Sequence, residues 1–495
     1  MTVASLRPKR EGTRWGALAL IVAAQFMVIL DVAIVNVALP SIKTDLHFSQ
    51  ENLQWVITAY AILFGGALLL GGRLADLLGR RRLFVGGLAL FAGSSLLAGL
   101  AWSEGSLIGF RALQGLGGAL LAPAALSILM TTFSEGRERN IALGIWGAAS
   151  GSGGAAGVLL GGLLTSYLNW SWIFFINVPV GAAVIALTPW FLRESSVEAN
   201  HRRFDVAGAA SVTAGLMLLV YAMTRATQDG WGSNSTIAFL AGSASLLVTF
   251  IVIELRSQAP LLPLRMFRLR TLAAANAAGV VVAAVGFSMF FLLTLYLQQV
   301  LHYSAIQTGV GFITITLAIV VFSNVAQTLV TRLGARRVLT TGLLLAAAAL
   351  ALFAQLPVHG HYFWNVFPAL LLGGIGMALS FVPMTIAGLT GVDRTDAGVA
   401  SGLINTSRQI GGAVGLAAVS TIATTYTGHY VRSHTGTTAV SGSALTHGFD
   451  VTFYALTGLA ILGALVAGIF IEPQRHANEP KPVGEGALAT VEEAA

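Results

Sequence analysis

One carboxylate in this 495-residue chain stands in the middle of a long apolar run: Asp31, within LALIVAAQFMVILDVAIVNVAL at 18–39. A charge near the centre of a bilayer costs from about 2.5 to more than 10 kcal/mol, so such a residue faces a cavity or a partner. Desolvation favours the neutral form, which suits a group that takes up and releases a proton in each cycle; the other reading is a carboxylate fixed in a structural hydrogen-bond network. Gln25 and Asn36 in the same run are either cavity neighbours or packing polar groups. Arg111 is the natural counter-charge. It lies about 8 Å below the outer surface and Asp31 about 13 Å, at 1.5 Å per helical residue, so the two depths permit an ion pair. A snorkelling side chain that reaches the outer headgroups is the alternative. Gln114 follows Arg111 by three residues, on the same helical face. Arg408, about eight residues into its own apolar run, carries the same ambiguity. Asp31 and Arg111 are the proton- and substrate-coupling candidates, and Gln25, Asn36, Gln114 and Arg408 the cavity candidates.

Two further clusters combine residue types that act on backbone. GGRLADLLGRRRLF at 71–84 reads as a connecting loop in which Gly72 and Gly79 permit tight turns, while Arg80, Arg81 and Arg82 face the basic side. Asp76 in that loop can accept hydrogen bonds from the N-terminus of a neighbouring helix. Gly147, Gly151, Gly154, Gly157, Gly161 and Gly162 crowd a second segment. Small residues at spacings of three and four let helix backbones approach closely in lipid, for static packing or for a contact that moves.

The elements that must position these residues are membrane spans. Hydrophobic residues make up 55% of the chain and charged residues 10%, against about 25% charged in a soluble domain. Fourteen runs are long enough to cross the hydrocarbon core at about 20 residues each. The first follows Arg7, Lys9, Arg10 and Arg14 but is longer than a signal-peptide core, so it reads as a retained span. All but five of the 28 Lys and Arg residues fall on one side of the array. The exceptions are Lys43, Arg225 and Arg432 in opposite loops, and Arg111 and Arg408 within spans. By the positive-inside rule both termini are cytoplasmic. The net charge of +7 is scattered between apolar runs rather than gathered into a nucleic-acid footprint. With no cysteine there are no disulfides or thiolate sites.

The array is duplicated. LLGRRRLFVGG at 77–87 aligns with RLGARRVLTTG at 332–342, offset 255; GLGGAL at 115–120 with GIGMAL at 374–379, offset 259; Gly144, Gly153, Gly154 and Gly157 with Gly402, Gly411, Gly412 and Gly415, offset 258. Matched segments keep the same sidedness, so the repeat is parallel. The expected organisation is a cytoplasmic segment 1–14, a six-helix bundle 15–192, a linker 193–272 carrying two extra spans at about 205–224 and 236–255, a second six-helix bundle 273–472, and a disordered cytoplasmic tail 473–495.

These residues resemble those of the fourteen-span drug/proton antiporters of the major facilitator superfamily. LDVAIVNVALPSI at 30–42 looks like the family's first-span signature, residues 72–82 its loop motif, LIGFRALQGLGGA at 107–119 its fourth-span motif, and 144–162 its antiporter motif. NWSWIFFINVPVG at 169–181 and SGLINTSRQIGGAVG at 401–415 are also similar to family segments. Val158 stands where the family usually has Pro, Leu77 where it has Arg, and Ser171 where Arg is frequent. The resemblance implies an all-α polytopic membrane protein of the major facilitator fold, a monomer in the plasma membrane of a bacterium. It implies export of hydrophobic or cationic drug-like compounds or antibiotics by alternating access. Energy comes from the proton gradient with no cofactor, and the partners are the bilayer, protons and a small molecule. Asp31 would be the proton and substrate site, Arg111 a coupling residue, and Asp76, with Gly72, Gly79, Arg80 and Arg81, a latch. Asp31→Asn would then abolish drug-dependent proton release and leave folding intact.

The same fold also serves endogenous cargo such as a siderophore, amino acid or peptide. An enzyme is not expected, because no Ser/His/Asp set or metal-spaced His cluster is present. A phosphate-binding loop is missing too, which disfavours an ATP-driven pump.

Overall fold

The computed structural model describes residues 11–48, 53, 55–134, 136–194, 205–257, 260–393, 396–434, 438 and 441–473. Most of the segments expected at 1–14 and 473–495 therefore lies outside the described residues. In lipid every backbone N–H and C=O must be satisfied within its own segment, and among the described residues the chain meets that constraint with helices alone. In chain order they are α1 (Glu11–Asp45), α2 (Trp55–Leu78), α3 (Arg80–Gly99), α4 (Glu104–Thr132), α5 (Arg137–Tyr167), α6 (Trp172–Phe191) and α7 (Val206–Asp229). There follow α8 (Asn234–Arg256), α9 (Arg270–Val300), α10 (Ile306–Leu333), α11 (Ala335–Phe353), α12 (Tyr362–Leu389), α13 (Ala397–Ser433) and α14 (Gly442–Phe470). Among the described residues thirteen are individually long and apolar enough to cross a membrane. The fifth, α5, makes fourteen when its pieces Arg137–Gly154 and Ala156–Tyr167, bent by 42°, count as one span. That bend lies in a glycine-rich stretch and needs no proline.

Two details depart from the sequence reading. GGRLADLLGRRRLF is helix rather than loop. The α2 helix continues to Leu78, α3 starts at Arg80, and the reversal rests on Gly79, whose φ of 105° a side chain rarely adopts. Its repeat partner Gly334 makes the same turn at φ 83°. Asp31 is also not alone in depth. The α14 helix starts at Gly442, nine residues before the expected boundary, and this places Asp450 two turns inside a span.

The two bundles are built by the same helix pairs. In the first, α4 packs on α2 and α3, and α1 on α5; in the second, α12 packs on α10 and α11, and α9 on α13. The aligned glycines mark where backbones meet. A Cβ on Gly117 would strike Phe91 and the Gly87 carbonyl across α3/α4, and one on Gly376 would strike Ala346 and the Gly342 carbonyl across α11/α12. Gly157 lies on Leu30 and Ile34 of α1 as Gly415 lies on Ala284 of α9. Without a hydrophobic force between helices in lipid, such approaches supply the attraction through dispersion.

Two seams join the bundles, and they too are related by the repeat. Gly402 of α13 faces Leu68 and Gly72 of α2, while Gly144 of α5 faces Ser323 and Gln327 of α10. The inserted pair α7/α8 covers one seam, touching both α2 and α13. Met217 of α7 seats on Gly66, Trp55 stacks on Tyr221 at 5.7 Å, and Trp231 Nε1 donates to Thr421 Oγ1 of α13 at 2.7 Å.

Gly117→Val is expected to force α3 and α4 apart and to destabilise the chain by about 2 kcal/mol or more. Gly93, on the neighbouring α3 with open space where a side chain would stand, should tolerate Ala with a change under about 1 kcal/mol. Thermal unfolding of the purified protein in detergent separates the two outcomes.

Candidate functional site

Five helices of the first bundle converge on one buried polar cluster. Asp31 from α1 is 0% exposed and Arg111 from α4 is 1% exposed. Arg111 Nη1 donates to Asp31 Oδ2 at 2.6 Å and to Gln114 Oε1 at 2.6 Å, and Nε donates to the Val56 carbonyl of α2 at 2.9 Å. The guanidinium lies 4.3 Å from the centre of the Tyr60 ring. Gln114 Nε2 donates to Asp31 Oδ1 and to Ser95 Oγ of α3, each at 2.8 Å. Asn177 of α6 donates from Nδ2 to the same two oxygens, at 3.0 and 2.9 Å. Both carboxylate oxygens are thus hydrogen-bonded, and the guanidinium has its anion, its carbonyl and its aromatic face.

Arg111 therefore does not snorkel; burial and the ion pair hold it inside. Asn36 stays apart, exposed and donating back to the Val32 carbonyl at 2.9 Å. Gln25 is buried, and its Oε1 finds no partner among the described residues. Ser95, Asn177 and Tyr60 complete the cluster without standing out in the sequence. Their one signal is a polar group placed mid-span, and neutral polar groups are common enough in apolar helices to hide it.

The Asp76 site joins the two bundles. Asp76 is 0% exposed at the end of α2. Its Oδ1 accepts from Arg80 Nη2 at 2.8 Å and from the Gly398 N–H at 3.2 Å, and its Oδ2 accepts from the Val399 N–H at 3.2 Å. These N–H groups are the unpaired donors at the start of α13, where the helix dipole also favours a negative charge. Gly72 makes no turn. It lets the Gly398 carbonyl of α13 lie against the α2 backbone where a side chain would stand. Glu194, which the sequence reading passed over, caps α3 by accepting from the Arg81 and Arg82 N–H groups at 3.1 Å each.

The α5 glycines divide among three neighbours. Gly157 and Gly161 press on α1, Gly147 on Val382 of α12 and Gly162 on Ile306 of α10, while Gly154 faces open space. The surroundings of Gly151 lie outside the described residues.

Two six-helix bundles repeated in parallel, joined at glycine-lined seams and carrying a buried charge cluster in one half, define a membrane transporter of the major facilitator fold. The Major Facilitator Superfamily profile matches residues 21–416, and the chain belongs to that superfamily. It is 39% identical over 471 residues to the puromycin resistance protein of Streptomyces alboniger, covering 94% of this chain and 93% of that one. It is 40% identical over 419 residues to the cephamycin export protein of Amycolatopsis lactamdurans, covering 84% and 86%. It is 33% identical over 476 residues to the lincomycin resistance protein of Streptomyces lincolnensis, covering 95% and 94%. The crystal structure of the human organic anion transporter TETRAN shares the fold at a TM-score of 0.63 and 16% identity, over 93% of this chain and 100% of that one.

A folded but uncoupled Asp31→Asn chain is not what this geometry leads to. Removing the anion leaves a buried guanidinium uncompensated, an expected loss of about 3–5 kcal/mol. Asp31→Asn combined with Arg111→Gln should cost less than the two single changes summed. A double-mutant cycle of unfolding midpoints measures the difference.

Proposed function

We propose that this chain is a proton-coupled exporter of hydrophobic or cationic drug-like compounds or antibiotics, working by alternating access in the plasma membrane of a bacterium. The observation that carries this reading is the Asp31–Arg111 pair, the ion pair buried in the core of the first bundle. Protonation of Asp31 removes the charge that Arg111 needs, so the guanidinium must move or find another acceptor. A proton taken up at one carboxylate thereby becomes a displacement of α4 relative to α1. A positively charged cargo competes for the same carboxylate, and mutual exclusion of proton and cargo is the condition for antiport.

The names of three relatives, which refer to puromycin and lincomycin resistance and cephamycin export, support antibiotics as the cargo class. The one-sided distribution of Lys and Arg supports cytoplasmic termini. Asp76 and the start of α13 then form a latch on the cytoplasmic face, one that holds the cargo path open to the outside while its bonds are made. The pump acts as a monomer, since each bundle supplies half of the path.

Proteoliposomes carrying a pH-sensitive dye test the coupling. Addition of a transported drug should release protons from the wild type. Asp31→Asn, normalised to the fraction that elutes as folded protein, should release fewer than about one-tenth as many, a loss of about 1.4 kcal/mol or more in coupling. Unchanged drug-dependent release would remove Asp31 from the mechanism. No release with any drug, together with growth defects of a deletion strain on a defined nutrient, would favour an endogenous solute.

Alternating access also requires the α5/α10 seam to part. Asn140 Nδ2 donates across it to Thr331 Oγ1 at 3.1 Å. Because the chain has no cysteine, an Asn140→Cys/Thr331→Cys pair gives a clean background. Its oxidation should stop transport, and a thiol reductant should restore it.

A further inference from the structure

Among the described residues two of the buried guanidiniums, those of Arg111 and Arg408, lie on aromatic rings within the membrane-spanning core, and only one of this pair has an anion. Arg111 is held by Asp31, Gln114 and the Val56 carbonyl above Tyr60. Arg408 of α13 is 9% exposed and lies 4.1 Å from the centre of the Phe381 ring of α12. Among the described residues it makes no hydrogen bond and no ion pair, and its Nε is buried without a partner. It stands eleven residues from the start of α13, roughly 17 Å along a helix that crosses about 30 Å of hydrocarbon, so it lies near the midplane.

The other faces of α13 are taken. Gly411 and Gly415 lie on α9 at Val280 and Ala284, and Gly402 and Gln409 lie on α2 at Leu68 and Gly65. Arg408 projects between these contacts toward α12. The acids at the start of its own helix are engaged elsewhere: Asp396 accepts from Arg265 at 3.1 Å, and Asp76 holds Arg80 and the first N–H groups of α13. The unpaired Asp450 of α14 sits beside Gly448, which packs on Ala423 and Thr427, roughly 20 Å along α13 from Arg408 at 1.5 Å per residue. Asp31 is taken by Arg111. An isolated charge in a desolvated site is unfavourable unless something pairs with it. The planar fork of a guanidinium matches a carboxylate with two parallel hydrogen bonds.

We propose that Arg408 is the recognition site for a carboxylate on the cargo, and that the Phe381 ring beneath it seats the cargo's flat apolar part. The class of compound it selects is an amphipathic zwitterion, bound acid-end to Arg408, whose cationic end keeps it within the cargo class proposed above. This deepens the reading of the chain as an exporter, and its binding step is measurable without transport.

The probe is a matched pair of one shape: 1-naphthylacetate and its neutral amide, titrated into the protein in lipid nanodiscs. The wild type should bind the acid at least about tenfold more tightly than the amide. Arg408→Gln should bring the two within about twofold, and Arg408→Lys should keep part of the preference because it keeps the charge. Arg408→Gln should also melt no lower than the wild type, because it removes a charge that the protein does not pair. As a second route, Phe381→Leu should weaken acid and amide together and keep their ratio. Equal binding of acid and amide by the wild type, or a preference that survives Arg408→Gln, would overturn the assignment. So would a lower melting temperature for Arg408→Gln, which would mark Arg408 as a structural group. Wild-type vesicles that discriminate in binding but transport neither compound would defeat the exporter reading and leave the site standing.

Discussion

The backbones of α2 and α13 meet with nothing between them, and the junction of the two bundles depends on that. Gly72 and Gly398 occupy the contact, and a Cβ on either would fall on the backbone of the other. Because no side chain intervenes, the carboxylate of Asp76 reaches the first N–H groups of α13. The electrostatic contact is therefore conditional on the steric one. The related seam shows what happens when the condition is lifted. There Gln327 stands where α2 has Gly72, Thr331 where it has Asp76, and Asn140 where α13 has Gly398. A side chain now stands at each of these positions, and a neutral amide–hydroxyl bond replaces the charged cap. Duplication has kept the geometry of both seams and assigned a charge to one.

The same division runs through the cores. In the first bundle acid and base are together, and nearly every polar atom around Asp31 is bonded. Among the described residues the second bundle holds a base, Arg408, without an acid, and an acid, Asp450, whose Oδ1 is buried without a partner. A satisfied network fixes one arrangement of its helices, whereas unsatisfied groups are stable only when something else completes them. The bundles thus have different demands on what enters between them, although their helices pair alike.

Much of this was legible in the sequence, and the reasons differ residue by residue. The spans were legible because lipid imposes one length and one composition, and the repeat because Gly87, Gly117, Gly342 and Gly376 are needed at backbone contacts and tolerate no substitute. Asp31 and Arg111 stood out because charge in hydrocarbon is rare. Hydropathy cannot tell a polar helix end from a loop, so the stretch through Asp76 read as a connection although α2 continues to Leu78, and α14 appeared to begin after Asp450. Ser95 and Asn177 are neutral and common; only the fold brings them onto Asp31. Glu194 followed a span end, where an acid has no reason to attract attention until α3 is seen to start beside it.

The inserted helices have a mechanical consequence. A body fastened to two others cannot follow both when they rotate apart, and it slips at the weaker fastening. On α2 the pair is held by the seat of Met217 on Gly66 and by stacked rings, while at its far end α13 is held by the hydrogen bond from Trp231. Were the bundles to rotate apart, helices α7 and α8 would stay with the first bundle, and α13 would be the partner that moves beneath them. The seam between α2 and α13 thus carries a third body across it, whereas among the described residues the seam between α5 and α10 is an open edge.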